Sequence, residues 1–171
     1  KKVSELDVPF YIHPRSPLLS KAPQYEGHPW LMSSPWGFAA DTAVHSLRLC
    51  GSGLFKEYPN LKVVIGHMGN LVDPAVFVHK QICRRGAFIG FDRQGGNNDA
   101  QQVPLVMALI DAGFADHLMF SADASSGYAK TITVFLPKLK AAGATEEVLH
   151  KIMYDNPRRF LAFIPKRPRK K

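Results

Sequence analysis

Three short apolar runs, each followed by a histidine or an aspartate, constrain the fold of this chain more than any other feature of its sequence. The runs and the residues behind them are Val8–Tyr11 with His13, Val63–Ile65 with His67, and Leu118–Phe120 with Asp123. Runs of this length that alternate with helical patterns indicate parallel βα units with right-handed crossovers. In such folds the active groups gather where the strands end, so we expect the three side chains on one rim.

The alternation of strands and helices extends along most of the chain. Strands are predicted at Val8–His13, Leu61–His67, Ala87–Asp92 and His117–Asp123. Helices are predicted over Gly37–Cys50, from Pro74 to Arg85, from Asp99 to Asp111 and from residue 128 to Ala142, with shorter ones opening at Thr145 and at Asp155. The segment from Pro14 to Pro35 contains five prolines and therefore cannot form a continuous helix.

The length of the chain limits which parallel fold it can form. A complete (β/α)8 barrel needs about 250 residues, whereas this chain has 171. The sequence therefore predicts an α/β fold of four parallel βα units that corresponds to half of a TIM (β/α)8 barrel, with an open four-stranded sheet as the alternative. We expect one half-barrel domain over residues 1–165 and a basic tail over residues 166–171.

The positive charge of the chain is concentrated at its two ends. Of the net charge of +8, seven positive charges come from Lys1, Lys2, Lys166, Arg167, Arg169, Lys170 and Lys171, which leaves +1 for residues 3–165. A near-neutral body does not predict a nucleic-acid interface. We interpret the tail as solvated, with a weak nucleic-acid or targeting patch as the alternative. No apolar run approaches the roughly 20 residues of a membrane span, so we expect no membrane contact and a cytoplasmic location.

Two histidines and one aspartate on one rim match the donor requirements of a catalytic zinc ion. Such sites use about three protein ligands, from imidazole nitrogen or carboxylate oxygen, and leave one position open. Taken singly, each residue also has a structural interpretation. His13 could cap a turn, His67 could be a satisfied core histidine, and Asp123 could cap the next helix. Their shared position at equivalent strand ends favours the metal site.

Four further residues are candidates for contact with a substrate. His28, Trp30 and Trp36 lie in or next to the proline-rich segment, and loops of that length are usually functional. Arg93 follows the third predicted strand on the same rim. Its guanidinium could bind a carboxylate or phosphate bidentately or simply pair with Asp92. The aromatic residues favour an aromatic substrate.

Two parts of the sequence resemble two branches of one enzyme superfamily. Residues 7–69 resemble the second half of the metal-dependent aromatic-acid (dihydroxybenzoate or resorcylate) decarboxylases of the amidohydrolase superfamily, in the stretches Val8–Arg15, Tyr25–Leu31, Thr42–Leu49 and Ser52–Gly69. Residues 85–165 are similar to the phosphotriesterase and lactonase branch, in the stretches Gly86–Arg93, Ala108–Asp116, Ser121–Ser125 and Asp155–Leu161.

The resemblance implies that the predicted strands are strands five to eight of the barrel. His13 then corresponds to the fifth-strand metal ligand and Asp123 to the eighth-strand ligand, with zinc or, alternatively, manganese as the divalent ion. His67 corresponds to the sixth-strand histidine, which is a catalytic acid/base in the decarboxylases and a second-metal ligand in the phosphotriesterases. The first-strand HxH or ExH pair of the family and its fourth-strand lysine or glutamate have no counterpart in this sequence.

Three functions are open on this resemblance. In a decarboxylase, His67 and Asp123 move a proton to and from the ring of a hydroxybenzoate-like acid while carbon dioxide is released. In a hydrolase of esters or phosphotriesters, the divalent metal activates water and Asp123 is the base. In the third case the chain is a non-catalytic half-barrel, natural or engineered. Because a half-barrel leaves sheet edges open, we expect a homo-oligomer or pairing with an N-terminal half-barrel.

Overall fold

Four short parallel strands form one sheet in the order of the chain. The computed structural model describes residues 1–13, 15, 16, 18, 20, 22–33, 36–71, 73–123 and 127–162. The strands are β1 (Phe10–Ile12), β2 (Val63–Ile65), β3 (Phe88–Phe91) and β4 (Leu118–Phe120). All three pairs of neighbouring strands are parallel. The predicted α/β class with four parallel βα units is therefore confirmed.

Helices and short turns connect the strands. In the described part of the chain the α-helices are α1 (Lys2–Glu5), α2 (Gly37–Gly51), α3 (Leu54–Glu57), α4 (Phe77–Arg84), α5 (Asp99–Asp111), α6 (Leu136–Ala141), α7 (Glu146–His150) and α8 (Asn156–Phe160). Turns of 3-10 helix lie at Pro23–Tyr25, Pro29–Met32, Met68–Asn70 and Ala115–His117. Turns of π-helix at Thr131–Phe135 and Lys151–Asp155 lead into α6 and α8. Among the helices described, none combines the length and the apolar character needed to cross a membrane.

The two central strands lie in the core of the molecule. All residues of β2 and β3 are buried, as expected for apolar runs in a parallel sheet that is covered by helices. Phe120 contacts Phe91 and Phe135 edge to face, with ring centroids 6.3 and 5.4 Å away. The first strand forms an edge of the sheet, and its residues Phe10 and Tyr11 remain about half exposed.

Helix α4 begins later than the sequence predicts. A start at Pro74 behind an Asp73 cap is expected, whereas the helix begins at Phe77. The Asp73 carboxylate nevertheless accepts a hydrogen bond from the Val78 backbone N–H at 2.7 Å. The cap is therefore retained, but it acts across a turn in which Val76 adopts a φ of 53°.

Other differences concern the lengths of elements. The strands are shorter than predicted, and α1 lies in a segment for which the sequence predicts no helix. The two 3-10 turns at Pro23–Tyr25 and Pro29–Met32 agree with the absence of a continuous helix in the proline-rich segment. Pro14, Pro35 and the predicted basic tail over residues 166–171 lie outside the described residues.

Candidate metal centre

Side chains that follow the strands converge at the carboxyl edge of the sheet. His13 comes directly after β1, His67 two residues after β2, and Asp123 three residues after β4. The Nε2 atoms of His13 and His67 lie 3.1 Å apart, and the two rings meet edge to face. Asp123 Oδ2 lies 3.9 Å from Nδ1 of His67. The three residues predicted as metal ligands are thus neighbours in the structure.

Two groups of donor atoms on this rim have separations suited to a divalent metal ion: the nitrogen pair of His13 and His67, and one atom each from His67, Asp92 and Asp123. Two nitrogens bound to one tetrahedral zinc ion at about 2.0–2.1 Å are about 3.4 Å apart, close to the 3.1 Å between the two Nε2 atoms. One donor atom each from His67, Asp92 and Asp123 lies within 4.8 Å of the others. Imidazole and carboxylate donors suit several first-row divalent metals. A direct N–H···N hydrogen bond between the two histidines would give a similar separation. A measurement of metal binding distinguishes a metal site from such a hydrogen bond.

Asp92 belongs to this rim, although sequence reasoning did not select it. The residue directly follows β3, and its side chain is only 3% exposed. Its Oδ2 lies 2.8 Å from His67 Nδ1. This hydrogen bond is the largest influence that raises the pKa of the His67 imidazole, and burial opposes it in part. One sequence signal could have identified Asp92. It is an acidic residue at the end of a predicted strand, on the rim that carries His13 and His67.

Arg93 contacts the predicted ligand Asp123. Its Nε donates a hydrogen bond to Asp123 Oδ2 at 2.8 Å. The alternative prediction, a pair with the adjacent Asp92, is not what forms, because Asp92 faces His67. The guanidinium is about half exposed. It contacts the Asp123 carboxylate, which a metal ion at this site would also need as a ligand.

The backbone of the rim is strained at three positions. His67, Arg93 and Asp123 adopt φ values of 59°, 56° and 39°. Residues other than glycine rarely occupy this left-handed region, and each such conformation costs about 1–3 kcal/mol. Strain of this kind clusters at functional sites because the surrounding structure must hold it in place.

Helices α4 and α5 hold the loops that carry these residues. Nε2 of the fully buried His79 lies 2.8 Å from the carbonyl oxygen of Met68, the residue after His67. From α5, Gln101 donates to the Gly69 carbonyl at 3.1 Å and Gln102 donates to the Asp92 carbonyl at 2.8 Å. Packed helices therefore fix the backbone on both sides of the His67–Asp92 contact.

A cleft lies between the rim and helix α2. Its cavity volume is about 130 Å³, and it is partly open to solvent. Four of the predicted site residues line it, namely His13, His67, Arg93 and Asp123. Its apolar wall comes from Phe38, Ala39, Ala43, Met68 and Leu71. The contribution of α2 to this wall could not be read from a helical pattern alone.

The three aromatic residues that are predicted to contact a substrate lie outside the described lining of this cleft. His28 and Trp30 face each other edge to face, with ring centroids 6.5 Å apart. Trp30 and Trp36 are more than half exposed, and neither they nor His28 are among the described residues that line the cleft. Their contact with a substrate stays a prediction.

The parallel βα fold and the rim together define a class of α/β proteins that carry their active sites at the carboxyl ends of parallel strands. Within that class, the family model described as amidohydrolase matches residues 1–163. The chain belongs to the amidohydrolase family.

Two relatives represent the two branches that the sequence resembles. The γ-resorcylate decarboxylase of Rhodococcus jostii is 62% identical over 68 residues, which cover 40% of this chain and 21% of the relative. The phosphotriesterase homology protein of Mycobacterium tuberculosis is 29% identical over 118 residues, which cover 57% of this chain and 36% of the relative. The resemblance to both branches of the superfamily is confirmed.

Solved structures of decarboxylases match nearly the whole chain. A 2,6-dihydroxybenzoate decarboxylase complexed with 2,6-dihydroxybenzoate has a TM-score of 0.71 at 30% identity, covering 93% of this chain and 52% of its own. The enzyme of Polaromonas sp. JS666, with bound manganese and the inhibitor 2-nitroresorcinol, has a TM-score of 0.68 at 28% identity, covering 92% and 51%. The chain thus spans about half the length of these TIM-barrel relatives, and the half-barrel fold is confirmed.

Proposed function

We propose that this chain supplies the metal-binding and proton-transferring half of a non-oxidative aromatic-acid decarboxylase. The observation that carries the proposal is the 3.1 Å separation of the His13 and His67 Nε2 atoms on a rim that also presents Asp123. The 62% identity to a γ-resorcylate decarboxylase over 68 residues supports it. The similarity to dihydroxybenzoate decarboxylases over nearly the whole chain supports it further.

His13 and Asp123 would hold a divalent ion, with Nε2 of His67 facing it. The bound ion supplies positive charge that orients an aromatic acid and stabilises negative charge on it. Zinc accepts this set of imidazole and carboxylate donors. Manganese is the second candidate, because the Polaromonas relative holds it.

The cleft provides separate places for the carboxylate and the ring of such a substrate. The Arg93 guanidinium lines the cleft and can bind a carboxylate. The ring of the substrate would lie against the apolar wall, to which Phe38, Ala39 and Ala43 contribute. Apolar walls with a few convergent polar groups are typical of small-molecule sites.

Replacing a ring carboxylate by hydrogen requires one proton at the ring carbon. Asp123, when protonated, delivers this proton, and the electron pair of the breaking C–C bond returns to the ring as carbon dioxide leaves. His67 is the neighbouring acid that resupplies the proton, through Nε2, the ring nitrogen that does not face Asp92. The Asp92 hydrogen bond raises the pKa of His67, so a larger fraction of the imidazole is protonated near neutral pH.

Hydrolysis of esters or phosphotriesters is the second candidate function. The observation that favours it is the 29% identity to a phosphotriesterase homology protein over 118 residues. In that reaction His67 is a metal ligand and must be neutral, whereas Asp123 accepts a proton. The two functions therefore assign opposite protonation states to His67.

A second half-barrel would complete the site. In the described sheet, β1 and β4 each pair with one neighbouring strand only. Open edges of this kind favour pairing with another sheet. We expect the partner to be a second copy of this chain or a segment equivalent to the N-terminal half of the relatives.

The test compares the two reactions on the chain loaded with Mn²⁺ or Zn²⁺. Binding of 2,6-dihydroxybenzoate is measured by calorimetry, and release of carbon dioxide from carboxylate-labelled substrate is measured by mass spectrometry. Because the site is proposed to need a second half-barrel, the measurements are made at concentrations at which the chain associates. We then expect metal-dependent binding and decarboxylation, with about 100-fold slower release in His67→Gln.

Chromogenic esters and paraoxon-like triesters are offered to the same samples. Hydrolysis without decarboxylation would assign the second function. An absence of metal-dependent binding of every substrate would identify a non-catalytic half-barrel.

A further inference from the structure

Asp92 is a buried carboxylate to which neither the proposed metal ligation nor the proton transfer assigns a direct role. Its side chain is 3% exposed, and Oδ2 lies 2.8 Å from His67 Nδ1. A carboxylate in such surroundings is stable only when it is paired or hydrogen-bonded. The His67 imidazole supplies this hydrogen-bond partner. The same contact fixes which ring nitrogen of His67 faces Asp92.

The two ring nitrogens of His67 face different partners. Nδ1 faces Asp92, and an ionised carboxylate can only accept a hydrogen bond. Nε2 faces His13 at 3.1 Å. A neutral imidazole carries one proton, so a proton held on Nδ1 leaves the lone pair on Nε2.

The neighbouring Asp123 does not compete for Nδ1. Its Oδ2 lies 3.9 Å from that nitrogen, which is beyond hydrogen-bond distance. The same oxygen accepts a hydrogen bond from Arg93 Nε at 2.8 Å. Of the two acidic residues near His67, Asp92 is therefore the one that orients the ring.

The protein holds Asp92 in a fixed position. Its carbonyl accepts a hydrogen bond from the fully buried Gln102 at 2.8 Å. The next residue, Arg93, donates its backbone N–H to the Ala122 carbonyl at 3.2 Å. Because β3 and α5 are both packed in the core, the backbone that carries the Asp92 carboxylate is held beside His67.

We propose that Asp92 is a positioning residue that fixes His67 in the tautomer protonated on Nδ1 and thereby makes Nε2 the reactive nitrogen. The use of Nε2, for metal binding or for proton exchange, rests on the proposed function, whereas the tautomer does not. A carboxylate that orients a metal-bound histidine typically contributes 10–100-fold to metal affinity.

The first test reads the tautomer directly in the metal-free chain. The ring ¹⁵N chemical shifts of His67 are measured where the imidazole is neutral, with His67→Gln used to assign the signals. We expect a protonated Nδ1 and an unprotonated Nε2 in the parent chain. Asp92→Asn is expected to populate the other tautomer, because an amide can donate to Nδ1. Asp111→Asn, an exposed aspartate at the end of α5, is the matched control.

The second test measures Mn²⁺ affinity by calorimetry. We expect Asp92→Asn to bind about 10- to 100-fold more weakly than the parent, Asp92→Glu to recover part of the loss, and Asp111→Asn to match the parent. A parent chain with Nε2 protonated, or an unchanged tautomer in folded Asp92→Asn, would overturn the proposal. The expected tautomers in a chain that binds no metal would leave Asp92 as the positioning residue and reject the proposed function. The parent spectrum decides the question even if Asp92→Asn does not fold.

Discussion

Gly69 packs against the side chain of Gln102 and so links the backbone behind His67 to the backbone of Asp92. A Cβ atom at residue 69 would lie 2.6 Å from Gln102 Nε2. That same Nε2 donates to the Asp92 carbonyl, and the Gln102 side chain is fully buried. The glutamine therefore cannot give way without disturbing Asp92.

The substitution Gly69→Ala is expected to lower both stability and metal affinity. Overpacking of this kind reduces the free energy of unfolding by about 1–3 kcal/mol, which urea unfolding measures. Calorimetry with Mn²⁺ measures the accompanying loss of affinity. Gly96→Ala is the control, because a Cβ atom there meets nothing within 4 Å. Equal effects of the two substitutions would contradict the role of the Gly69–Gln102 contact.

The Arg93 guanidinium is expected to compete with a metal ion for Asp123. The side chain of Arg93 is 56% exposed, so the ion pair contributes about 0–1 kcal/mol. Arg93→Met should therefore tighten Mn²⁺ binding by up to about fivefold while it weakens binding of 2,6-dihydroxybenzoate. Lys56→Met, which removes a positive charge from the exposed side of α3, should change neither affinity. Weaker Mn²⁺ binding by Arg93→Met would show that the guanidinium supports the metal site instead.

At the scale of residues, strand-end position was enough to predict the rim but not its contacts. His13, His67 and Asp123 were selected because parallel strands bring their ends together. Asp92 was missed because its sequence neighbour Arg93 offered a simpler partner. Arg93 adopts a left-handed φ of 56° and contacts Asp123, and a hydrophobic pattern carries no information on such a backbone conformation.

His117 joins the starts of two strands. Its Nδ1 donates to the Ala87 carbonyl at 3.1 Å, just before β3, and β4 begins at the next residue. Burial is the main cause that lowers the pKa of this imidazole. The folded chain therefore disfavours a positive charge at this position.

Acid is expected to destabilise the fold through His117. The folded pKa lies below the unfolded value of about 6.5, so this contribution to stability is present above about pH 6.5 and is lost as the pH falls through the folded pKa. His117→Asn keeps a hydrogen-bond donor without a titrating ring and should lose less stability between neutral and acidic pH in urea unfolding. His150→Asn, at an exposed histidine, is the control. A pH dependence in His117→Asn equal to that of the parent would contradict this role.

At the scale of elements, the existence of strands and helices followed from the sequence better than their boundaries did. Both π-helical turns end two residues before a proline, at Pro137 and at Pro157. Proline lacks the N–H for the normal helical bond and clashes with the carbonyl four residues earlier, which a wider turn relieves. The prolines are visible in the sequence, but whether the helix widens or ends there depends on tertiary packing.

The molecule as a whole leaves apolar surface uncovered near one edge of its sheet. Val44 and Leu47, one turn apart on α2, are more than half exposed, and Phe10 and Tyr11 on β1 are nearly so. The backbone of β1 also lacks a second neighbouring strand in the described sheet. Surface of this kind favours association.

We expect the chain to associate as its concentration rises, which light scattering measures. The double substitution Val44→Glu with Leu47→Glu places negative charge on the apolar face of α2. It should therefore shift the measured molecular mass toward that of the monomer. The matched control is Ile132→Glu, which changes an exposed apolar residue ahead of α6. A monomer at all concentrations, or equal effects of the two changes, would contradict association through this face.

At this scale the length of the chain predicted a half-barrel, because four βα units account for its residues and eight would not fit. The identity of the partner was not predictable. Open sheet edges and exposed apolar side chains indicate a surface that favours association, but they do not specify which molecule binds there.

Metal binding by the purified chain tests the central claim most directly. Titration with Mn²⁺ and Zn²⁺ by calorimetry, combined with elemental analysis and light scattering, gives the metal content per chain. We predict about one ion per chain, with binding lost in His13→Ala and in Asp123→Ala. A chain that remains free of metal, or metal content unchanged in both variants, would contradict the assignment of His13, His67 and Asp123 to a metal centre.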